Sequence, residues 1–228
     1  MIHPRDSSTN RFPIFEELNP DYANDSLLDF GGNQGNLLYF SQGKINEGTY
    51  TSIDNSLDSI ELGGAEFPKA GFVHWNRYNE MYNHNGNKNE PLPELKQHNY
   101  IWAYSVFSHM IVEDIIEAVS WMKTINAKRI VTSYLCNDGD DNSKKIMQYF
   151  YNRRIDQFGF TVDFRDNRED YFYLTDNEYG CSSGETFIAV YNTKYLINRL
   201  KQCGIIAKKI TSTKTPIPFL EIAYENID

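Results

Sequence analysis

The sequence predicts an α/β protein: a mostly parallel seven-stranded sheet with helices on both faces and an antiparallel C-terminal hairpin. Three observations carry this. From about residue 26 to 134, short apolar runs of strand type alternate with helical segments, the pattern of a parallel sheet. The first run, Leu27-Leu28, stops at an acid and a glycine turn, L-L-D-F-G-G-N-Q-G, before a helix-forming stretch. The last two strand-type segments, 205–211 and 217–224, are separated by little more than T-K-T-P, and so short a link makes them antiparallel.

The elements follow in order. Residues 1–12 read as a polar arm, and Pro13–Leu18 as a short helix with proline in its first turn. Strand one covers about 26–30. Its helix, 34–42, carries Leu37, Leu38, Tyr39 and Phe40 and stops near Gly43. Strand two is 49–54, a helix covers 56–63, and strand three is Phe72–His74. Residues 76–98 are rich in Asn and contain Pro91 and Pro93, which reads as loop. Strand four is expected as one apolar run from Ile101 to Phe107. The helix at 112–124 places Val112, Ile115, Ile116, Val119 and Met122 on one stripe. Strand five covers 128–134. Residues 136–190 break the alternation: a helix fits 143–155, and Tyr171-Phe172-Tyr173-Leu174 is aromatic. We expect one domain over 1–228 with this segment as an insert, since connections of that length are often functional. A last helix, 193–203, ends at Gly204.

The turn after strand one aims backbone N–H groups and a helix N-terminus at a ligand. Strand two ends at Asp54, where a carboxylate is placed to accept from two vicinal ribose hydroxyls. Together they imply a cofactor containing adenosine. It is not read as a nicotinamide dinucleotide, because counting G-x-G-x-x-G from Gly31 lands on Asn33 and Asn36. No G-x-x-x-x-G-K-[ST] loop occurs either.

The turn, as Asp29, Gly31, Asn33 and Gly35, resembles the acidic-x-G-x-G-x-G motif of the class I S-adenosylmethionine-dependent methyltransferases, with Asn33 for the middle glycine. Asn tolerates the left-handed backbone better than most residues, so the turn is expected to survive. Residues 98–110, H-N-Y-I-W-A-Y-S-V-F-S-H-M, are similar to the fourth strand of the small-molecule enzymes of that family, with Asn99 for the usual acid. The resemblance implies a Rossmann-like fold and S-adenosylmethionine as cofactor. It puts Gly31, Gly32, Asn33 and Gly35 along the methionine moiety, Asp54 on the ribose, and Asn55 beside the adenine. It has Trp75 and Asn76 bracket the adenine, and Tyr104 and Ser105 near the sulfonium.

His109 follows strand four at the edge where open α/β sheets place ligands, which makes it the candidate general base; the alternative is that it caps or underpins the next helix. His74 is a second choice. His3, His84 and His98 sit in loop-like segments and are expected in solvent. Ser182 and Ser183 lack the G-x-S-x-G context of a nucleophile. Asp138, Asp140 and Asp141 lack the terminal glutamate of a calcium loop. No metal-ligand spacing appears, so no metal is expected. Tyr171, Phe172, Tyr173 and Tyr179 either line an acceptor pocket or form the insert's own core.

The net charge of −9 argues against a nucleic-acid partner, which needs a basic footprint. The one basic cluster, Lys144-Lys145 with Arg153-Arg154, reads as a solvated helix face. No apolar run suits a membrane span or a signal peptide. Cys136, Cys181 and Cys203 are odd in number and unpaired in pattern, which fits a cytoplasmic protein. The expected activity is methyl transfer to a small-molecule hydroxyl, on a sugar, nucleotide sugar or secondary metabolite. Two alternatives stand: a methyltransferase-fold subunit that binds cofactor weakly or not at all, motivated by Asn33 and Asn99, and an enzyme acting on protein or RNA. Oligomeric state is left open.

Overall fold

The computed structural model describes residues 7–141, the backbone of 171–174, residues 183–184 and residues 188–224. The expected helix at 143–155, its basic cluster, His3, Tyr179, Cys181 and Ser182 lie outside the described residues.

Seven strands form the main sheet in the order β3-β2-β1-β4-β5-β10-β9. They are β1 (Leu27–Phe30), β2 (Tyr50–Asp54), β3 (Gly71–His74), β4 (Tyr100–Ala103), β5 (Arg129–Ser133), β9 (Ile205–Ser212) and β10 (Thr215–Tyr224). The first five are parallel, and β10 runs antiparallel to both β5 and β9. The strand order reverses at β1, whose neighbours are β2 and β4, so the crevice beyond its C-terminal end is the switch point where such sheets bind ligands.

Strand residues alternate between two cores, as the pleat requires. Leu28, Phe30, Ile101, Ala103 and Ile130 face α4 (Val112–Thr124) and α5 (Thr193–Gln202), which contribute Ile115, Val119, Met122, Leu196 and Leu200. Leu27, Tyr100, Trp102, Val131 and Phe219 face α1 (Phe12–Leu18) and α2 (Asn36–Phe40), which contribute Phe15, Leu18, Leu37 and Leu38. Helices therefore cover both faces. On the α1 side, Trp102 stacks on Phe219 at 5.5 Å and on Tyr104 at 6.1 Å, and meets Phe15 edge-on at 5.4 Å. This aromatic column ties the first helix to the ligand edge of β4. The helix α3 (Leu57–Glu66) borders β2 and β3; its Gly63 lies against Phe72, where a Cβ would come within 2.1 Å of the ring.

One expectation is corrected. Strand four stops at Ala103 and does not run to Phe107. Ser105 adopts a left-handed backbone, φ 61°, and its N–H donates to Ser133 Oγ at 2.7 Å; Phe107–His109 then turns into a 3₁₀ segment. Val106 and Phe107 are apolar because they pack, not because they extend the strand. The segment expected as an insert, 136–190, is described in part. That region contributes to a three-stranded sheet in the order β6-β8-β7, from β6 (Leu135–Cys136), β7 (Tyr171–Leu174) and β8 (Ile188–Tyr191). All of β8 is buried, and its I-A-V-Y run is too short to register as a period. Asp138, one of the acids of the calcium-like run, accepts from Thr193 N–H at 2.8 Å and from Lys209 Nζ at 2.8 Å, so it anchors the start of α5 to β9.

Candidate active site

The turn after β1 is built by close backbone approach. Gly31, φ 77°, and Gly32 donate their N–H groups to Ile53 O at 2.8 and 3.3 Å, which ties the turn to β2. A Cβ on Gly31 would stand 2.3 Å from Val106 Cγ2, and one on Gly32 would stand 2.7 Å from Asp29 Cγ. Asn33 has φ 53°, the left-handed backbone expected of it. Its N–H donates to Asp54 Oδ2 at 2.8 Å, and its own Oδ1 accepts from Gln34 N–H at 2.8 Å. Asp54 Oδ1 accepts from Ser56 N–H at 2.9 Å, and Ser56 caps α3. The acid that ends β2 therefore holds two backbone segments at the ligand edge.

Beneath the turn, Asp29 is buried and accepts from the Tyr50 hydroxyl at 2.6 Å. Burial pushes its carboxyl up to about 7; the Tyr50 bond opposes this and the nearby Asp54 charge adds to it.

The turn opens into a cavity of about 590 Å³, within the range of small-molecule sites. Of the residues singled out from sequence, Asp29, Gly31, Gly32, Asn33, Asp54, Asn55, Trp75, Tyr104, Ser105 and His109 line it. Gly35 and Asn76 do not. Gly35, φ 76°, is the N-cap of α2 and makes the turn into that helix. Asn76 points to the loop that follows β3, its Oδ1 accepting from Asn83 Nδ2 at 3.1 Å. Trp75 lines the cavity but is largely buried, tilted on Phe30 and donating from Nε1 to Pro91 O at 3.0 Å.

His109 ends the 3₁₀ turn after β4 and meets the Tyr82 ring edge-on at 5.7 Å. His74, the second choice, does not reach the cavity; its Nε2 lies 3.3 Å from Asn55 O. His98 is not in solvent as expected. It is buried, with Nδ1 2.8 Å from Lys96 O and Nε2 3.0 Å from Thr51 Oγ1, and burial lowers its basicity.

The Asn-rich segment after β3 is an ordered cover. Asn79 N–H donates to Asn83 O, Tyr78 N–H to Asn87 O, and Asn87 N–H to Asn76 O. Arg77 pins it to α4, lying 3.1 Å from Glu117 and 3.7 Å from Asp114, and donates to Ser183 Oγ at 3.2 Å. Burial raises the Asp114 carboxyl, against the pull of Ser183 and Arg77. Glu80 N–H donates to Gly184 O at 2.8 Å, so cover and insert meet over the cavity.

Sequence reasoning missed Ser8, Thr9, Arg11, Arg77, Tyr78, Tyr82 and Asp114, all of which line the cavity. No motif marks them; folding brings them there from the N-terminal segment, the cover and α4. Among the described residues, no group of His, Cys, Asp or Glu is arranged to hold a metal ion. None of their helices is long and apolar enough to cross a membrane.

A parallel sheet with reversed order at β1, a glycine-rich turn tied to an acid at the end of β2, and an antiparallel terminal hairpin define the fold of the class I S-adenosylmethionine-dependent methyltransferases, and this chain has that fold. No family model matches the sequence, and no curated protein matches it. Among solved structures, the pyocyanin biosynthetic protein PhzM aligns over 96% of this chain and 56% of its own, with a TM-score of 0.59 at 10% identity. An S-adenosylmethionine-dependent methyltransferase from Clostridium acetobutylicum aligns over 96% and 92%, with a TM-score of 0.53 at 12% identity. NcsB1, an O-methyltransferase from neocarzinostatin biosynthesis in complex with S-adenosylmethionine and 2-hydroxy-5-methyl naphthoic acid, aligns over 90% and 50%, with a TM-score of 0.55 at 11% identity. The chain spans about half the length of PhzM and of NcsB1. At such identities the likeness is one of fold.

Proposed function

We propose that this protein is an S-adenosylmethionine-dependent methyltransferase that acts on a hydroxyl of a small molecule. The observation that carries the reading is the Asp54–Asn33 bond at the switch point of this fold, beside a cavity that His109 also lines. Asp54 accepts the Asn33 N–H at Oδ2 and the Ser56 N–H at Oδ1, and a carboxylate is an acceptor suited to ribose hydroxyls. Asn55, Trp75, Tyr104 and Ser105 all line the cavity, which supports assigning the first two to the adenine and the last two to the sulfonium. The residues present thus fit the cofactor, which when bound supplies an electrophilic methyl group.

The chain's own part is positioning and proton transfer. The cover and the turn form walls of the cavity, and His109 takes the acceptor's proton. Tyr78, Tyr82, Met81, Met110 and Leu92 give an aromatic and flexible apolar lining suited to a small acceptor. Ser183 and Gly184 support the insert as the acceptor side of a single domain. The net charge of −9 favours a small molecule over a nucleic acid.

Asn33 and Asn99, the two departures from the family pattern, have local explanations. Asn33 keeps the left-handed turn, and Asn99 lies before β4, bonded to Asp25 and Ser26. Neither favours a partner subunit without cofactor. Calorimetric titration with S-adenosylmethionine and S-adenosylhomocysteine tests the reading, followed by transfer of labelled methyl into a metabolite pool. Absence of binding by either compound sinks it.

A further inference from the structure

The Asn-rich cover after β3 carries a small, tightly braced turn at its tip. Asn79 and Asn83 exchange backbone N–H to O bonds at 3.1 and 2.9 Å, which closes the turn. The Asn79 side chain braces it from inside, its Oδ1 accepting from the N–H groups of Met81 and Tyr82 at 3.0 and 3.1 Å. Tyr82 therefore stands on a turn whose backbone is fixed, and its side chain lines the cavity.

The turn is rooted as firmly as it is braced. Asn83 Nδ2 donates to Arg77 O at 3.1 Å. The Arg77 guanidinium donates to Glu90 O at 2.9 Å within the cover, to Glu117 Oε2 at 3.1 Å on α4, and to Ser183 Oγ at 3.2 Å. The next peptide is packed from two sides: a Cβ on Gly86 would stand 2.5 Å from Tyr78 N, and one on Gly184 would stand 2.5 Å from Tyr78 O. A tip held by Asn79 and anchored to α4 through Arg77 is a rigid mount for the Tyr82 ring.

That ring meets His109. The centroids are 5.7 Å apart and the planes stand at 87°. His109 ends a three-residue 3₁₀ turn, so little regular structure orients its side chain. A general base works only when a ring nitrogen reaches the proton it takes, and an edge-on aromatic contact restricts how the imidazole can rotate. Resting on the methyltransferase reading, we propose that Tyr82 is a positioning residue, which the cover presents to His109 to hold the imidazole in its working orientation. Tyr82 takes no proton and acts through His109.

Two measurements test this. Exchange of the imidazole C2 proton for deuterium, followed by mass spectrometry, reads each histidine separately and needs neither cofactor nor acceptor. Tyr82→Ala should speed exchange at His109 about 2- to 10-fold, the fold-change for losing an edge-on ring contact. His74 and His98 should keep their wild-type rates, and Tyr82→Phe, which keeps the ring, should restore the rate at His109. Where Tyr82→Ala does not fold, Tyr82→Leu serves, since it keeps bulk and removes the ring. In transfer of labelled methyl, Tyr82→Ala should lower the rate about 10- to 100-fold, the scale for a misplaced catalytic group, with cofactor Kd unchanged. Tyr82→Phe should recover most of that loss. In a His109→Gln background, Tyr82→Ala should add no further loss, because the ring it holds is gone. A further loss of the same size would make Tyr82 a direct contact of the acceptor and overturn the proposal, as would an unchanged exchange rate at His109. Absence of S-adenosylmethionine binding by wild type sinks the methyltransferase reading instead, and the exchange rates still decide whether Tyr82 holds His109.

Discussion

Asp54 Oδ2 accepts the Asn33 N–H at 2.8 Å, so the acid that ends β2 holds the turn that follows β1. The same carboxylate caps the start of the next segment through Ser56 N–H. Asp54→Ala should therefore weaken S-adenosylmethionine binding by about 1–3 kcal/mol, the cost of leaving hydrogen-bonding groups without a charged partner. Calorimetry of the folded variant measures this, and an unchanged Kd would remove Asp54 from the cofactor site.

Gly31 should tolerate no side chain. A methyl there would stand 2.3 Å from Val106 Cγ2, and φ 77° adds about 1–2 kcal/mol of backbone strain for any L-residue. Gly31→Ala should lower the unfolding midpoint and cofactor affinity together. Adding Val106→Ala should recover the part due to collision and leave the part due to strain. Full recovery, or none, would contradict this division.

Asp29 should make stability depend on pH in an unusual direction. Its folded-state carboxyl is raised from 3.8 to about 7, so the native state holds the proton more tightly than the unfolded chain. The resulting stability is complete below about pH 4 and is lost as pH rises through about 7. Tyr50 and Asp54, both on β2, are the groups credited with opposing and reinforcing the shift. Asp29→Asn keeps an acceptor for the Tyr50 hydroxyl and removes the charge. The gap in thermal midpoint between variant and wild type should widen in the variant's favour from pH 4 to 7. A gap that stays constant over this window would show that Asp29 ionises normally.

His109→Gln should lower turnover about 10²- to 10⁴-fold, the usual contribution of a general base, with little change in cofactor Kd. The wild-type rate should climb with pH as the imidazole loses its proton, and the variant should lack that limb. Near-normal turnover with an unaltered profile would make the Tyr82–His109 contact a packing feature of the cover.

Much of the fold was legible because its signals are local. The alternation of apolar runs, the glycine turn and the short T-K-T-P link each act within a few residues, and β1, β2, β3, α4 and the terminal hairpin appear where these place them. The end of β4 was not legible. Val106 and Phe107 look like strand residues, and only contacts with Gly31 and the core reveal why they are apolar. His98 misled in the same way: its loop-like neighbours hide a side chain buried against Thr51, 47 positions distant in sequence.

The sequence by itself determined the parallel architecture, the turn at 31–35 and the acid at 54, because periodicity and backbone freedom are properties of neighbouring residues. Asn33 could take a left-handed turn in isolation, and it does. The tertiary structure alone decided the walls of the cavity. Arg11, Arg77, Tyr82, Asp114 and Ser183 come from an arm, a cover, a helix and an insert, and carry no shared motif. Their meeting depends on chain closure, over 106 residues between Arg77 and Ser183, and on the packing that orients each side chain.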